Sequence, residues 1–377
     1  MSAPTDGQVY VLGVGLAPAA PRHDGMRLEE LVYRTARAAL DDAAVSRRQL
    51  DNLTLGACDE LDGRPISSML LAAPAGGFQT DEIRVSDSGA SAFCLATARH
   101  LSGDFDLGLV AGWCKPSKTD VASVMNMRCD PFFTRDIGLD ASMAEGLFAQ
   151  GVVEEFEVTE QELAERVSAA YRRGARNPRG VGWPEPSYDA VVSSGYEATP
   201  VRSAHTARYT DGAAALVLAS GRWLARNPGR RPLARVSGVG WSSDSYRLDR
   251  ARLRGLGAAR SAWDSAMSMA GTSAPDVVEL EAPTVFHEAA LVRAWQVGDA
   301  AVSPSGGSFA QNPLTATGLV NIVEATLQVS GRAGPVQVSE ARRAVAHGSH
   351  GFAHQGAVVA VLDQVTDGST VQEGVAS

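Results

Sequence analysis

The chain has 377 residues, with 45% apolar and 20% charged side chains, and its 34 basic residues (32 Arg, 2 Lys) against 43 acidic ones give a net charge of −9. That length exceeds what one hydrophobic core organises, so two domains or one doubled fold are expected. The composition excludes a disordered, collagen-like or coiled-coil chain, no run of 18 apolar residues could cross a membrane, and the acidic balance offers no field for nucleic acid.

The opening segment MSAPTDGQVYVLGVG lacks a basic stretch followed by a long apolar one, so no secretory signal is expected. Cys58, Cys94, Cys114 and Cys129 form no CxxC pair and have no histidine at metal-ligand spacing. They read as reduced thiols of a cytoplasmic protein without a metal site.

The first strand signal is VYVLGVG, ending at Gly15, followed by the amphipathic segment LEELVYRTARAAL and then Asp51, which opens DNLTLG. The same order returns later: ARVSGVG ends at Gly240, ARSAWDSAMSMAG follows, and Asp276 opens DVVELE after an identical interval. Each series closes on a buried-strand signal, GAAALVLAS at 212–220 and GAVVAVLD at 356–363. The chain is therefore read as two copies of one α/β unit, residues 1–232 and 233–377. Gly15 to Gly212 spans 197 residues, whereas Gly240 to Gly356 spans 116. The surplus falls at about 114–200, after the strand signal LGLVAGW. It contains the helix TEQELAERVSAAYRRGARNP, capped by Thr159 and stopped by Asn177-Pro178. It is expected to form a lid over a site shared by the halves.

Five segments then fall in family order. VSDSGASAFCLATARHLSGDFDLGLVAG (85–112) resembles the thiolase nucleophile helix, and aligning Gly89, Gly103 and Asp106 with that pattern puts Ser86 where thiolases have their catalytic cysteine. SPSGGSFAQNPLTATGLVNIVEATLQVSG (303–331) resembles the Pro-Ser-Gly-Gly … Gly-His-Pro segment of sterol-carrier-protein-type thiolases, with Asn312 where Gly-His stands. TDGAAALVLAS (210–220) is similar to the Ser-Asp-Gly-Ala-Ala-Ala strand. DVVELEAPTVFHEAAL (276–291) resembles the Val-Glu-Leu-His-Asp-x-Phe strand end, with Glu281 replacing the catalytic His or Asn. AHGSHGFAHQGAVV (346–359) resembles the C-terminal glycine-rich turn. The resemblance implies an α/β thiolase fold: duplicated βαβαβαββ halves in five αβαβα layers, with the lid inserted.

The departures set the expected chemistry. A serine nucleophile needs a base within hydrogen-bond reach. His347 is expected to serve Ser86, since His347-Gly348-Ser349 resembles a segment of the thiolase relative that acetylates phloroglucinols, and His350 is a second candidate. Asn312 is expected to hold the oxyanion, and Glu281 to act as a base if burial raises its pKa. Ser349, Gly306, Gly307 and Phe133 are expected to bind substrate.

The resulting expectation is an acyltransferase of specialised metabolism that passes an acyl group from a coenzyme A or carrier-protein thioester through Ser86 to an acceptor. No bound cofactor is expected. The alternatives are a thiolase-like aldolase or retro-aldolase without a covalent intermediate, and a non-catalytic scaffold subunit. By resemblance, a homodimer and a small zinc-ribbon/OB-fold partner protein are also expected.

Overall fold

The computed structural model describes residues 7–63, 66–86, 88–271 and 274–365. The first half runs β1 (Val9–Leu16), α1 (Leu28–Asp42), β2 (Asn52–Gly56), two short helices α2 (Asp59–Asp62) and α3 (Ser67–Leu71), β3 (Asp81–Val85), α4 (Gly89–Leu101) and β4 (Leu107–Cys114). Between β4 and β7 (Gly212–Ser220) come α5 (Val121–Met127), α6 (Ala141–Phe156), α7 (Glu160–Arg176), α8 (Tyr188–Val192) and the hairpin β5 (Tyr196–Ala198)–β6 (Val201–Arg202). Helix α9 (Gly221–Arg226) leads to the second half. That half runs β8 (Ala234–Ser243), α10 (Arg250–Gly255), α11 (Gly257–Ala270), β9 (Val277–Glu279), α12 (Val285–Trp295), β10 (Ala301–Val302), α13 (Thr317–Val329), β11 (Arg343–His350) and β12 (Gly356–Gln364).

Ten of these strands form one sheet in the order β10-β9-β11-β12-β8-β1-β7-β4-β2-β3. Read outward from the antiparallel β1–β8 junction, both sides repeat one pattern. The last strand of each half lies beside the first, then come the fourth, second and third. Within each half the second strand runs parallel to both its neighbours.

Alternation along the strands sorts side chains into separate cores. Tyr10, Leu12, Leu53, Leu55, Leu107 and Leu109 pack under α1, whose Leu28, Leu31, Val32, Ala36, Ala39 and Leu40 recur at helical spacing on one buried face. In the second half Val278, Leu280, Val345, Val359 and Val361 pack under α11 and α12, with α6 and α7 joining from the insertion. Between the sheet halves lies a third core. There Val9, Val11, Leu216 and Leu218 of the first half meet Val236, Ala344, Ala346 and Val358 of the second around α4 and α13. The order of layers is αβαβα.

The middle layer explains the composition of its helices. Every residue of α13 from Thr317 to Val329 is buried, and α4 buries Gly89, Ala90, Ala92, Phe93, Cys94 and Ala96. The two helices meet at their first turns on small residues. A Cβ on Gly318 would come within 2.8 Å of the Ala90 Cβ and the Gly348 Cα, and one on Gly89 within 2.8 Å of the Leu319 Cβ. A Cβ on Gly348 would reach 2.4 Å from the Ala90 Cβ.

The insertion is fastened to the second half by ion pairs. Arg166 and Arg173 of α7 both reach Glu288 on α12, at 3.0 and 2.9 Å, and Arg293 returns to Glu162 at 2.8 Å. Past α7, Arg179 pairs with the buried Glu324 of α13 at 2.6 Å, and Asn177 Nδ2 donates to the same carboxylate at 3.0 Å.

The contact between the first turns gives a direct test. Gly348→Val overfills a space closed by Ala90 and Gly318, and should cost about 1–3 kcal/mol of folding stability in chemical denaturation. A Gly348→Val protein as stable as the parent would show that the helices do not meet there.

Candidate functional site

A cavity of about 200 Å³ opens where the parallel strands end. Binding sites favour this place in open α/β sheets because loops leave the carboxyl ends of the strands together. Its floor comes from both halves. Ser88 follows β3, Glu281 follows β9, Asn312 lies between β10 and α13, and Ser349 and His350 close β11. Its roof is the insertion, through Met125, Arg128, Ser142, Glu145 and Glu197, joined by Tyr209 just before β7.

The floor groups are held by hydrogen bonds that fix where they point. Ser88 is the N-cap of α4 and accepts from Ser91 N at 3.2 Å. One Glu281 oxygen accepts from Ser349 N at 3.1 Å, which joins the ends of β9 and β11. Asn312 is buried; its backbone N donates to Thr210 Oγ1 at 2.9 Å and its Oδ1 accepts from Thr317 Oγ1 at 2.9 Å. Those bonds orient the amide, and its Nδ2, a buried donor in the cavity wall, meets no hydrogen-bond partner. A buried donor left unmade costs free energy that a substrate oxygen could recover.

Of the residues singled out in the sequence, Glu281, Asn312, Ser349 and His350 line this cavity together. Ser86 does not. It is exposed at the end of β3, and the hydroxyl in the wall belongs to Ser88, two residues on; Asp87 between them lies outside the described residues.

His347 is buried on the far face of β11. Strand alternation sends Ala344 and Ala346 into the middle layer with α4, and Val345 and His347 toward α12, where Trp295 meets the imidazole edge-on at 5.3 Å. A base on that face does not reach a hydroxyl at the start of α4, so the expected pairing of His347 with Ser86 is not formed. Gly306 and Gly307 both have positive φ (91° and 52°) and form a turn against α7, where a Gly306 Cβ would lie 2.5 Å from the Gly174 Cα. Phe133 stands outside the cavity, 44% exposed, with its ring 5.0 Å from Tyr246.

Ser88 and Glu145 are among the wall residues that escaped the sequence reading. Ser88 was hidden by the alignment of its neighbour to the family nucleophile. Glu145 sits in ASMAEGLFAQGVV, and its signal was a lone acid between Ala144 and Phe148 on the buried side of α6. Burial raises its carboxyl to about 7, against the opposing influence of the Ala353 backbone N–H and Arg252.

Behind the cavity His287, His347 and His354 form a chain of rings, with centroids 5.5 Å and 5.0 Å apart. Neither nitrogen of His354 meets a partner, and burial pushes all three rings to lower pKa, His354 to about 3, with the Glu281 backbone opposing the shift at His347. No group of three or more His, Cys, Asp or Glu among the described residues could hold a metal ion. Cys94 is equally sealed, its thiol pushed up to about 12.

Two like halves in five αβαβα layers, with the site at the shared strand ends, define the thiolase fold. Residues 281–364 match the family described as thiolase C-terminal domain-like. Over 378 aligned residues the chain is 25% identical to an acetyl-CoA acetyltransferase of Methanothermobacter thermautotrophicus, covering 93% of this chain and 98% of that one. It also superposes on a solved Ltp2-ChsH2(DUF35) aldolase with a TM-score of 0.78 at 15% identity, covering 95% of this chain and 98% of the other, a likeness of fold. No helix among the described residues is long and apolar enough to cross a membrane.

The three rings carry a pH dependence whose sign is fixed. Each is neutral when folded, whereas an unfolded histidine gains a proton near 6.5, so stability is full above that value and declines as pH falls below it. The rings therefore pull the denaturant midpoint down as pH falls from 6.5 to 5, against the raised carboxyls of Glu145 and Glu279, and His354→Phe should lose less stability than the parent over that range. An unchanged slope in the variant would show that the ring is not held neutral.

Proposed function

We propose that the chain is a thiolase-type enzyme that acts on a thioester of coenzyme A or a carrier protein, making or breaking a carbon–carbon bond without acylating its own serine. The observation that carries this reading is Asn312 Nδ2, an oriented and unpartnered donor in a cavity that Glu281 and Glu145 line and Ser86 does not. In the cleavage direction Glu281 takes the proton of a β-hydroxyacyl thioester's hydroxyl. The Cα–Cβ bond breaks to release a carbonyl compound, and the electron pair forms a thioester enolate. Asn312 Nδ2–H donates to the enolate oxygen, where a dry wall makes a fixed donor worth most. Protonation at carbon completes the acyl thioester. The reverse sequence is an aldol addition.

The earlier expectation, acyl transfer through a serine, keeps support from the acetyl-CoA acetyltransferase relative and from the Ser88 hydroxyl at the start of α4. Intact-protein mass spectrometry after exposure to acetyl- and propionyl-CoA separates the two readings. The bond-cleaving enzyme gives no acyl adduct, whereas an adduct lost in Ser86→Ala or Ser88→Ala reinstates acyl transfer. Asn312→Asp keeps the acceptor for Thr317 and, ionised, removes the donor, so it should cost about 100-fold in kcat.

Two partners belong to the same proposal. Strand β3 is an edge of the sheet, and the segment before it exposes Ile66, Met69, Leu70 and Phe78, which suits pairing with a second copy. Light scattering should give a dimer mass, and a monomer at micromolar concentration would remove that part. A small DUF35-type partner is proposed because the aldolase of similar fold is an assembly with one.

A further inference from the structure

Glu145 enters the cavity from α6, opposite the floor that carries Glu281 and Asn312. Its Oε2 is sealed from solvent without a hydrogen-bond partner and lies 3.6 Å from His287 Nε2. The imidazole is fixed from three sides. Its Nδ1 is 2.9 Å from Thr284 Oγ1, it rises from the first turn of α12, and Phe148, one turn along α6 from Glu145, stacks on it at 4.4 Å between centroids. Thr284 and Glu145 both line the cavity, so this carboxyl–imidazole–hydroxyl series begins and ends at the place where substrate would sit.

We infer that Glu145 is the group that delivers a proton to the carbon of the thioester enolate, and that His287 is the positioning residue that holds its carboxyl toward the cavity. The inference rests on the carbon–carbon bond chemistry proposed above and supplies the step left open there. The proton balance closes. Glu281 accepts one proton from the substrate hydroxyl, Glu145 gives one to the enolate carbon, and a proton returns from Glu281 to Glu145 through solvent before the next turnover.

The surroundings suit a donor. Burial keeps the Glu145 carboxyl protonated up to about pH 7, Arg252 of α10 works against this, and His287 stays neutral. A neutral His287 that accepts from Thr284 through Nδ1 turns Nε2–H toward Glu145, ready for the carboxylate left after transfer. The other charged or titratable groups facing this space are Arg128 after α5, Glu197 of β5, Tyr209, Glu281 and His350. The acid and base roles thereby fall to two carboxyl groups in different places, Glu145 on the roof and Glu281 tied to Ser349 N on the floor.

By microscopic reversibility, ionised Glu145 removes the α-proton of a product-like thioester. The test is deuterium uptake at Cα of propionyl-CoA and propionyl-pantetheine in D2O, followed by NMR. Wild-type exchange should rise with pH to a plateau with a midpoint near 7. Glu145→Gln should lose about 100-fold at the plateau, and His287→Gln should retain exchange with a displaced midpoint. Exchange at the wild-type rate in Glu145→Gln overturns the role of Glu145 alone, and an unmoved midpoint in His287→Gln overturns the positioning role. Should Glu145→Gln fail to melt cooperatively, the His287→Gln midpoint decides. A wild-type protein that exchanges neither probe overturns the reaction class, and the role of Glu145 falls with it.

Discussion

The contact between the first turns of α4 and α13 is the constraint on which the rest of the molecule depends. Gly89, Ala90, Gly318 and Gly348 leave so little side chain that the two helix starts and the end of β11 converge within van der Waals contact. Close-packed interiors transmit displacement, so a bulky residue there would move both helices at once. Ser88 caps one helix, Thr317 begins the other and orients Asn312, and Glu281 is tied to Ser349 beyond Gly348. The polar wall of the cavity is the outer surface of a contact in which small groups face one another and Leu319 closes on Gly89.

Much of this architecture was legible in the sequence because it repeats. The spacing from Gly15 to Asp51 and from Gly240 to Asp276 records the same strand–helix–strand unit in each half, and those glycines let each first strand lie against its own helix. A Cβ on Gly15 would come within 2.3 Å of the Thr35 carbonyl, and one on Gly240 within 2.2 Å of the Ala262 carbonyl. The floor of the site was legible too, because Glu281, Ser349 and His350 sit at strand ends, and Asn312 in the loop before α13, all of which the motifs mark. What the sequence withheld was facing. His347 looks reactive in a His-Gly-Ser segment, yet strand alternation turns it into the core under Trp295. Glu145 was obscure because its partners come from α12 and from the turn after β11, more than 100 residues away in sequence.

The insertion has two physical roles. Its α7 is anchored to α12, and the turn after α7 to α13, by a ladder of arginine–glutamate pairs, so the roof is held to the second half although the chain enters it from the first. Pairs of this kind count most when partly buried and shared in networks, as around Glu288 and Glu162. Its α6 then presents Glu145 to groups supplied by the two halves. The cavity wall is a junction of three pieces of chain, none of which contains a complete set of reactive groups.

The interleaving of the halves has a consequence during synthesis. Helix α4 is complete once the first quarter of the chain has been made, but one of its flanks is covered only by α13 and by strands of the second half. A ribosome must therefore add more than 200 further residues while an alanine-rich surface that includes Phe93 waits in water. Folding units normally close domain by domain as they emerge. Here the first half cannot close early, and its waiting surface is a target for chaperones and for premature association between nascent chains.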